Sequence, residues 1–282
     1  MNAALTIREM LQEAKSKLHN SGSARLDAEV LLCNVLEVDR NKLYSAPETI
    51  IPANAVSLYR SLVQDRKQGR PVAYLTGTRE FWSLEFQVNE HTLVPRPETE
   101  RLVETALEHI PANVKLAIAD LGTGSGAIAI AIARERPCCA ITATDICERA
   151  LAVAAANAGR LAVNNVKFVK SDWYANLQGS FDIIVSNPPY IRNDDEHLQG
   201  EGVAYEPGTA LCGGVDGLDA IRSIISNATR YLKPDGRLFI EHGYDQAQAV
   251  RSLFEKFHFT DIQSKLDYAS VERVTSGKRQ HE

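Results

Sequence analysis

The tetrapeptide Asn187-Pro188-Pro189-Tyr190 follows directly on the apolar run Phe181-Asp-Ile-Ile-Val-Ser186, and its residue types suit the grip of a planar nitrogen. The Asn187 side chain offers a carbonyl oxygen as acceptor. Two successive prolines hold the chain extended and remove two backbone donors, which leaves the neighbouring carbonyls unpaired. An NH2 group on an sp2 carbon can then donate one hydrogen to Asn187 and the other to the Pro188 carbonyl, with its plane stacked on the Tyr190 ring. That geometry suits alkylation of an amide or an exocyclic amine. Asn-Pro and Pro-Pro are also ordinary loop punctuation, so the same residues read as a turn closing a buried strand.

A second constellation lies upstream. Lys115-Leu-Ala-Ile-Ala-Asp120 reads as a short buried strand, Leu121-Gly122-Thr123-Gly124-Ser125-Gly126 as a glycine-rich turn, and Ala127 to Ala133 as the helix that follows. Glycines let a ligand approach the backbone, and the helix N-terminus supplies free N–H groups, as in sites for nucleotide-like ligands. A dinucleotide fold uses a similar turn, so the glycines alone decide little. The Gly-x-Gly-x-Gly spacing, with Ala127 in the last glycine place, leans away from that fold. Asp120 leans further, because a carboxylate there repels a pyrophosphate and attracts an ammonium or sulfonium. Ala140-Ile-Thr-Ala-Thr-Asp145 reads as a second strand, ending about 20 residues on in an acid placed to hold ribose hydroxyls. After a third strand, Val166 to Lys170, the pair Asp172 and Trp173 can accept from an adenine amine and cover its ring, or serve as a helix cap and a core aromatic.

Together these motifs resemble those of the class I S-adenosylmethionine-dependent methyltransferases, and Asn-Pro-Pro-Tyr is similar to the tetrapeptide of members that methylate amino or amide nitrogen. Further segments carry the likeness along nearly the whole chain: Phe86 to Asn89, Leu93 to Glu100, Tyr205-Glu-Pro207 with Ala210-Leu211, Asp216-Gly217-Leu218, Glu241-His-Gly243 and Glu272-Arg-Val274. In these the sequence resembles the release factor glutamine methyltransferase family. The resemblance implies an enzyme that moves a methyl group from S-adenosylmethionine to N5 of the glutamine in the Gly-Gly-Gln tripeptide of peptide chain release factors, leaving S-adenosylhomocysteine. Carried over by position, it implies donor contacts at Gly122, Thr123, Gly124, Ser125, Gly126, Asp145, Trp173 and Asn187, and glutamine contacts at Asn187, Pro188, Pro189 and Tyr190. Ser125 stands where the family often has threonine and keeps the hydroxyl. Asp120 and Asp172 join the donor set from the residue-level reading.

Elements that position these residues follow from periodicity. Ile7, Met10, Leu11, Ala14 and Leu18 recur at helical spacing after Thr6, which with Glu9 predicts a capping box, and Gly22 is placed to end that helix. Helices are also expected from about Ser23 and after Pro52, forming a small N-terminal bundle over residues 1–75, to which the family resemblance assigns recognition of the release factor. Trp82, Leu84, Phe86 and Val88 alternate with polar residues, which predicts a strand and a linking hairpin over 76–94. A helix opens at Pro95 to Glu100 and runs to about Ile110. From Lys115 strands and helices alternate, so residues 95–282 are expected as the methyltransferase domain. This is an α/β, doubly wound, mostly parallel sheet with ligands at the carboxyl ends of its strands. A helix is expected over Asp216 to Tyr231, and the family resemblance implies an antiparallel last strand. The polar tail Ser276 to Glu282 reads as a partly disordered end without a role.

Composition agrees with a globular enzyme. A chain of 282 residues buries roughly three quarters of its unfolded surface. The net charge of -5 disfavours a protein that grips nucleic acid through phosphate neutralisation. The five cysteines lack metal-ligand spacing and their odd count suits a reducing compartment. The histidines include no His-x-x-x-His pair, so no metal is expected. Neither a leader pattern at Met1 to Arg8 nor a run long enough for a membrane is found, which predicts a cytoplasmic protein with no membrane partner. Three other readings stay open. A DNA adenine-N6 methyltransferase presents the same planar NH2 but must flip the base. A nicotinamide-dependent oxidoreductase leaves Asn187 to Tyr190 without a task. A non-catalytic S-adenosylmethionine sensor binds the donor without consuming it.

Overall fold

The computed structural model describes residues 5–280, which form two compact units. The first comprises the chain up to Gly77 together with Gln199–Tyr205. It is helical: α1 (Ile7–Lys17), α2 (Ala24–Leu36), α3 (Arg40–Ser45), α4 (Ala53–Lys67) and α5 (Val72–Thr76). Thr6 and Glu9 close the expected capping box at the head of α1, satisfying two N–H groups that a helix start leaves free. The helix stops earlier than Gly22 suggested. It ends at Lys17, where the Leu18 N–H turns back to the Ala14 carbonyl. Apolar faces of α1, α2 and α4 meet in one core of Ile7, Met10, Ala14, Leu31, Leu32, Tyr59 and Val63. The Tyr59 hydroxyl donates to the Ala28 carbonyl at 3.0 Å, so the buried ring keeps its polar end paired.

The short α3 and α5 have little apolar periodicity and were not foreseen, and neither was the return of Gln199–Tyr205 to this unit. That return has a charged anchor. The buried Arg66 guanidinium donates from Nε to Asp27 Oδ2 at 2.7 Å and from Nη2 to Glu201 Oε1 at 2.6 Å, and the Tyr205 hydroxyl donates to the Gln68 carbonyl at 2.8 Å.

The second unit holds the remainder, beginning with the hairpin β1 (Thr78–Phe81) and β2 (Leu84–Gln87). The expected strand start at Trp82 is corrected here. Trp82 and Ser83 form the two-residue turn, with φ of 53° and 54°, the left-handed pair that matches the twist of a tight hairpin. The hairpin packs as part of this unit, because Phe81, Leu84 and Phe86 enter the core shared with the helix after the glycine turn. A 3-10 turn at Pro97–Thr99 leads into α6 (Glu100–Leu107), three residues short of the expected end at Ile110. Then come β3 (Ala117–Leu121), α7 (Ala127–Glu135), β4 (Ala140–Asp145), α8 (Glu148–Arg160), β5 (Val166–Lys170) and β6 (Phe181–Ser186). After the short α9 (Gly208–Leu211) follow α10 (Asp219–Tyr231), β7 (Leu232–Glu241), α11 (Ala247–Lys256), β8 (Phe259–Leu266) and β9 (Glu272–Arg279).

The large sheet has seven strands in the order β5-β4-β3-β6-β7-β9-β8. Neighbours from β5 to β7 pair parallel, while β9 runs antiparallel to both β7 and β8. Helices cover both faces: α6 and α7 share one core with the hairpin, and α10 and α11 share the other. α7 is buried from Ala127 to Ala133, which explains why that stretch is Ala and Ile with no polar stripe before Arg134 and Glu135. α10 begins at Asp219, later than Asp216, which instead accepts from the Leu218 N–H. The tail reading is also corrected. Ser276 is buried and residues through Arg279 belong to β9, whereas His281, Glu282 and Met1 to Ala4 lie outside the described residues.

Removing one partner from the Arg66 cluster should expose what holds the first unit together. Asp27→Ala leaves a buried guanidinium with one carboxylate fewer, and an unfolding free energy lower by about 3 kcal/mol is expected in urea denaturation.

Candidate active site

Strand register brings the site residues into one row. Leu121 pairs with Thr144 on one side and with Ser186 on the other, and Ser186 pairs with Ile240. The next residues in each strand direction are therefore Gly122, Asp145, Asn187 and Glu241, side by side at the carboxyl edge. The chain leaves β3 towards β4, while β6 lies on its other side, so Gly122 and Asn187 flank the point where strand order reverses. Open parallel sheets bind ligands in that crevice.

A cavity of about 260 Å³ opens there, and Gly122, Gly124, Asp145, Asp172, Trp173, Asn187 and Pro189 line it. Further wall comes from Ile146, Cys147, Ala150 and Ser171 and from two stretches to which the sequence reading gave no site role, His91 to Leu93 and Pro207 with Thr209 and Ala210. Asp145 holds the glycine turn: Oδ2 accepts from the Gly124 N–H at 2.9 Å and Oδ1 from the Cys147 N–H at 2.9 Å. Each oxygen retains a lone pair for a ligand hydroxyl. Burial pushes the Asp145 carboxyl up from the usual carboxylate range, and the backbone donors at Cys147, Gly124 and Ile146 oppose that rise.

Gly122 has φ of +76°, and a Cβ there would stand 3.3 Å from Trp173 Cζ3, so the indole lies directly against the turn. Trp173 itself sits in the left-handed region at φ 45°, an uncommon place for a bulky residue. Gly126 has φ of +84°, and a Cβ would meet Ile130 Cδ1 at 2.9 Å and Ala154 Cβ at 3.1 Å. Glycine here allows α7 and α8 to pack closely behind the turn.

The structure revises Asp120. Its side chain is fully buried and Oδ2 accepts from the Thr123 hydroxyl at 2.6 Å, so it braces the turn from within and does not face the cavity. Burial pushes its carboxyl up to about 7, against the pull of Thr123 and the Ala129 backbone. Thr123, Ser125 and Gly126 likewise shape the turn without lining the cavity. Pro188 and Tyr190 are not in the wall either. The Tyr190 ring packs on the α10 and α11 side and its hydroxyl donates to Glu241 Oε1 at 3.3 Å.

Asn187 is oriented by a residue that periodicity could not flag. Its Nδ2 donates to Thr99 Oγ1 at 3.0 Å, which turns the side-chain carbonyl oxygen away from Thr99 and leaves it available as an acceptor. Behind the tetrapeptide, Gln246 Nε2 donates to the Tyr190 carbonyl at 2.9 Å while its Oε1 accepts from the Gly243 N–H at 2.8 Å.

Two further clamps hold the walls. Glu206, buried, accepts from the Val94 N–H at 3.0 Å and pairs with Arg96, tying together two segments of the chain that flank the cavity. Asn157, also buried, accepts from the Gln87 N–H at 2.7 Å and donates to the Gln87 and Ser125 carbonyls at 3.0 and 2.9 Å. A lone amide in the alanine-rich stretch of α8 was the available signal for it. Among the described residues no cluster of three or more His, Cys, Asp or Glu side chains could hold a metal ion. None of their helices is long and apolar enough to cross a membrane.

The comparisons with known proteins agree with this geometry. Residues 101–200 match the family model described as methyltransferase small domain, and residues 9–77 match that of the PrmC N-terminal domain. A methyltransferase of known structure from Pyrococcus furiosus superposes with a TM-score of 0.54 at 17% identity, covering 80% of this chain and 100% of that one. The Thermus thermophilus 16S rRNA N2 G1207 methyltransferase, solved with AdoMet and guanosine, superposes at 0.53 and 19% identity, covering 72% and 50%. The fold is that of a class I S-adenosylmethionine-dependent methyltransferase, and the chain is an enzyme of that class. Within it, the release factor glutamine methyltransferase of Salmonella typhimurium is 45% identical over 97% of this chain and 99% of its own length. That of Pseudomonas aeruginosa is 45% identical over 97% and 98%. The chain belongs to the release factor glutamine methyltransferase family.

Asn157→Ala should cost stability out of proportion to its size. It leaves one buried N–H and two buried carbonyls unpaired, and a loss of about 3 kcal/mol or more is expected from chemical denaturation.

Proposed function

We propose that this enzyme methylates the side-chain amide nitrogen N5 of the glutamine in the Gly-Gly-Gln tripeptide of peptide chain release factors, with S-adenosylmethionine as donor. The observation that carries the reading is the fixed amide of Asn187, whose NH2 is committed to Thr99 and whose oxygen is left as acceptor beside the cavity. Family membership supports the substrate, since the curated relatives are release factor glutamine methyltransferases. The N-terminal bundle, matching the PrmC N-terminal domain, is assigned recognition of the release factor body, and the reading puts the enzyme in the cytoplasm.

The residues present fit the donor. Asp145 offers acceptor capacity for ribose hydroxyls, and Trp173 with Asp172 offers a ring face and a carboxylate for adenine in the same cavity. Gly122 and Gly124 leave backbone open to close approach. When bound, S-adenosylmethionine supplies an electrophilic methyl group on a sulfonium.

The chain's own task is to make a poor nucleophile attack. An amide nitrogen has its lone pair delocalised into the carbonyl, so the site must hold it close, orient it and favour the positive charge that forms on nitrogen. Asn187 Oδ1 accepts one N–H of the glutamine amide and the Pro188 carbonyl accepts the other. Both bonds strengthen as nitrogen becomes positive, so they stabilise the transition state more than the ground state. Transfer is direct and in line, without a covalent enzyme intermediate. The alkylated, protonated amide is acidic enough to lose its proton to water, so no strong base is required at this edge.

Isotope-labelled S-adenosylmethionine, offered with a release factor and with duplex DNA in separate reactions, tests the reading. Label on the Gly-Gly-Gln glutamine is expected; label only in DNA would overturn it. Asn187→Ala should lose about a hundredfold or more in rate, roughly 3 to 4 kcal/mol of transition-state stabilisation. Asp145→Ala should instead weaken donor binding in calorimetry, and unchanged affinity would remove its ribose role.

A further inference from the structure

Glu241 ends β7 and stands beside Asn187 in the row at the carboxyl edge. Its side chain is buried, with the Tyr190 hydroxyl donating to Oε1 at 3.3 Å and Oε2 lacking a fixed hydrogen-bond partner. A buried carboxylate oxygen left this way is costly unless it serves a purpose. The neighbour able to use it is Thr99, which pulls the Glu241 carboxyl down and whose hydroxyl oxygen accepts from Asn187 Nδ2 at 3.0 Å.

A hydroxyl has one proton. With Asn187 donating into the Thr99 oxygen, that proton is free for Glu241, which when ionised can only accept. A Thr99 hydroxyl turned to the unpartnered Glu241 Oε2 gives the chain one polarity: Asn187 NH2 to Thr99 oxygen, Thr99 hydroxyl to Glu241 carboxylate. From the other side the same carboxylate holds the Tyr190 hydroxyl. We infer that Glu241 is the positioning residue of the methyl-transfer site, acting through Thr99 to keep the carbonyl oxygen of Asn187 turned to the substrate nitrogen.

This deepens the function proposed above and rests on it only for the identity of the substrate. Protonation would undo the arrangement. A neutral Glu241 becomes a donor, competes with Asn187 for the Thr99 oxygen and lets the Thr99 hydroxyl proton point to Asn187. The Asn187 amide can then rotate to present NH2, which opposes a substrate NH2 donor to donor. Burial is the main influence on this carboxyl and pushes it up to about 7, while Thr99, Arg273 of β9 and Tyr190 pull it down and Glu98 pushes it further up. The neighbouring His242 is held below its usual range by burial, so it brings no positive charge to oppose the switch. The arrangement makes the ionised form the active one, and turnover is expected to fall as pH drops through the raised range of this carboxyl, about 7.

Glu241→Gln preserves shape and removes the obligate acceptor. It is expected to lower kcat by between about tenfold and a hundredfold, to leave the Kd for S-adenosylmethionine unchanged, and to abolish the acid limb of the kcat profile. Thr99→Val should lose activity to a similar extent, Thr99→Ser should recover most of it, and the Glu241→Gln, Thr99→Val double variant should lose little more than either alone. Wild-type kcat with an unaltered acid limb in Glu241→Gln would overturn the inference. A substrate-free readout separates it from the function itself: the Asn187 side-chain amide resonance, followed by NMR in the full chain, should titrate near neutral pH in the wild type and not in Glu241→Gln. An Asn187 amide that ignores both pH and the variant sinks the positioning role, even if the glutamine is methylated. One that responds as expected upholds it, even if the labelled substrate proves to be something else.

Discussion

Parallel pairing in register is the constraint on which this molecule depends. Because Leu121, Thr144, Ser186 and Ile240 stand level across four adjacent strands, whatever follows them emerges at the same height. Gly122, Asp145, Asn187 and Glu241 need no long loops to meet. A slip of one residue in any of these pairings would invert the faces of that strand, move Ile183 to Val185 out of their cores and carry Asn187 away from the cavity. The apolar packing that sets register and the chemistry at the edge are therefore one requirement.

Burial at that edge has a second effect. Asp120, Asp145 and Glu241 all sit where water is scarce, and in each case burial is the leading influence that raises the carboxyl above its usual range. The compensation differs by residue. Asp145 has backbone N–H groups and stays open to the cavity. Asp120 spends one oxygen on Thr123 inside the turn. Glu241 accepts from the Tyr190 hydroxyl. The same functional group thus braces the turn at Asp120 and suits the roles proposed for Asp145 and Glu241, according to what donates to it.

Much of this was legible from residues alone, and what was not has a physical reason. The central strands β3, β4 and β6 are short apolar runs bounded by turn residues, and the capping box at Thr6 is a local pattern, so these were readable, whereas the polar end of β9 read as a tail. Asn187 and the glycine turn announce themselves because few other roles require those residues together. Asn157 and Gln246 did not, and Thr99 and Glu206 stood only within segments quoted for family likeness, without a role, since each makes its contact across a long stretch of chain and is individually an ordinary polar residue in a helix or loop. Asp120 was read as facing a cation because sequence shows its place beside the turn but not the direction of its side chain. Trp82 was read into a strand because alternation continues through a two-residue turn unbroken. The antiparallel course of β9 was implied by family likeness, and the pairing with β7 and β8 bears it out.

The return of Gln199–Tyr205 to the N-terminal unit has a consequence for how the chain is made. Glu201, which holds Arg66 with Asp27, is synthesised long after the helices it joins. The bundle can collapse early on its own apolar core, but it stays electrostatically incomplete through the translation of the hairpin and most of the parallel strands. Contacts of such wide sequence separation form late and slowly. The N-terminal unit is thus begun first, yet its last piece arrives only after the Asn-Pro-Pro-Tyr segment has been made, and before β7, β9 and β8 complete the sheet, so its final consolidation falls in the middle of the synthesis of the catalytic unit.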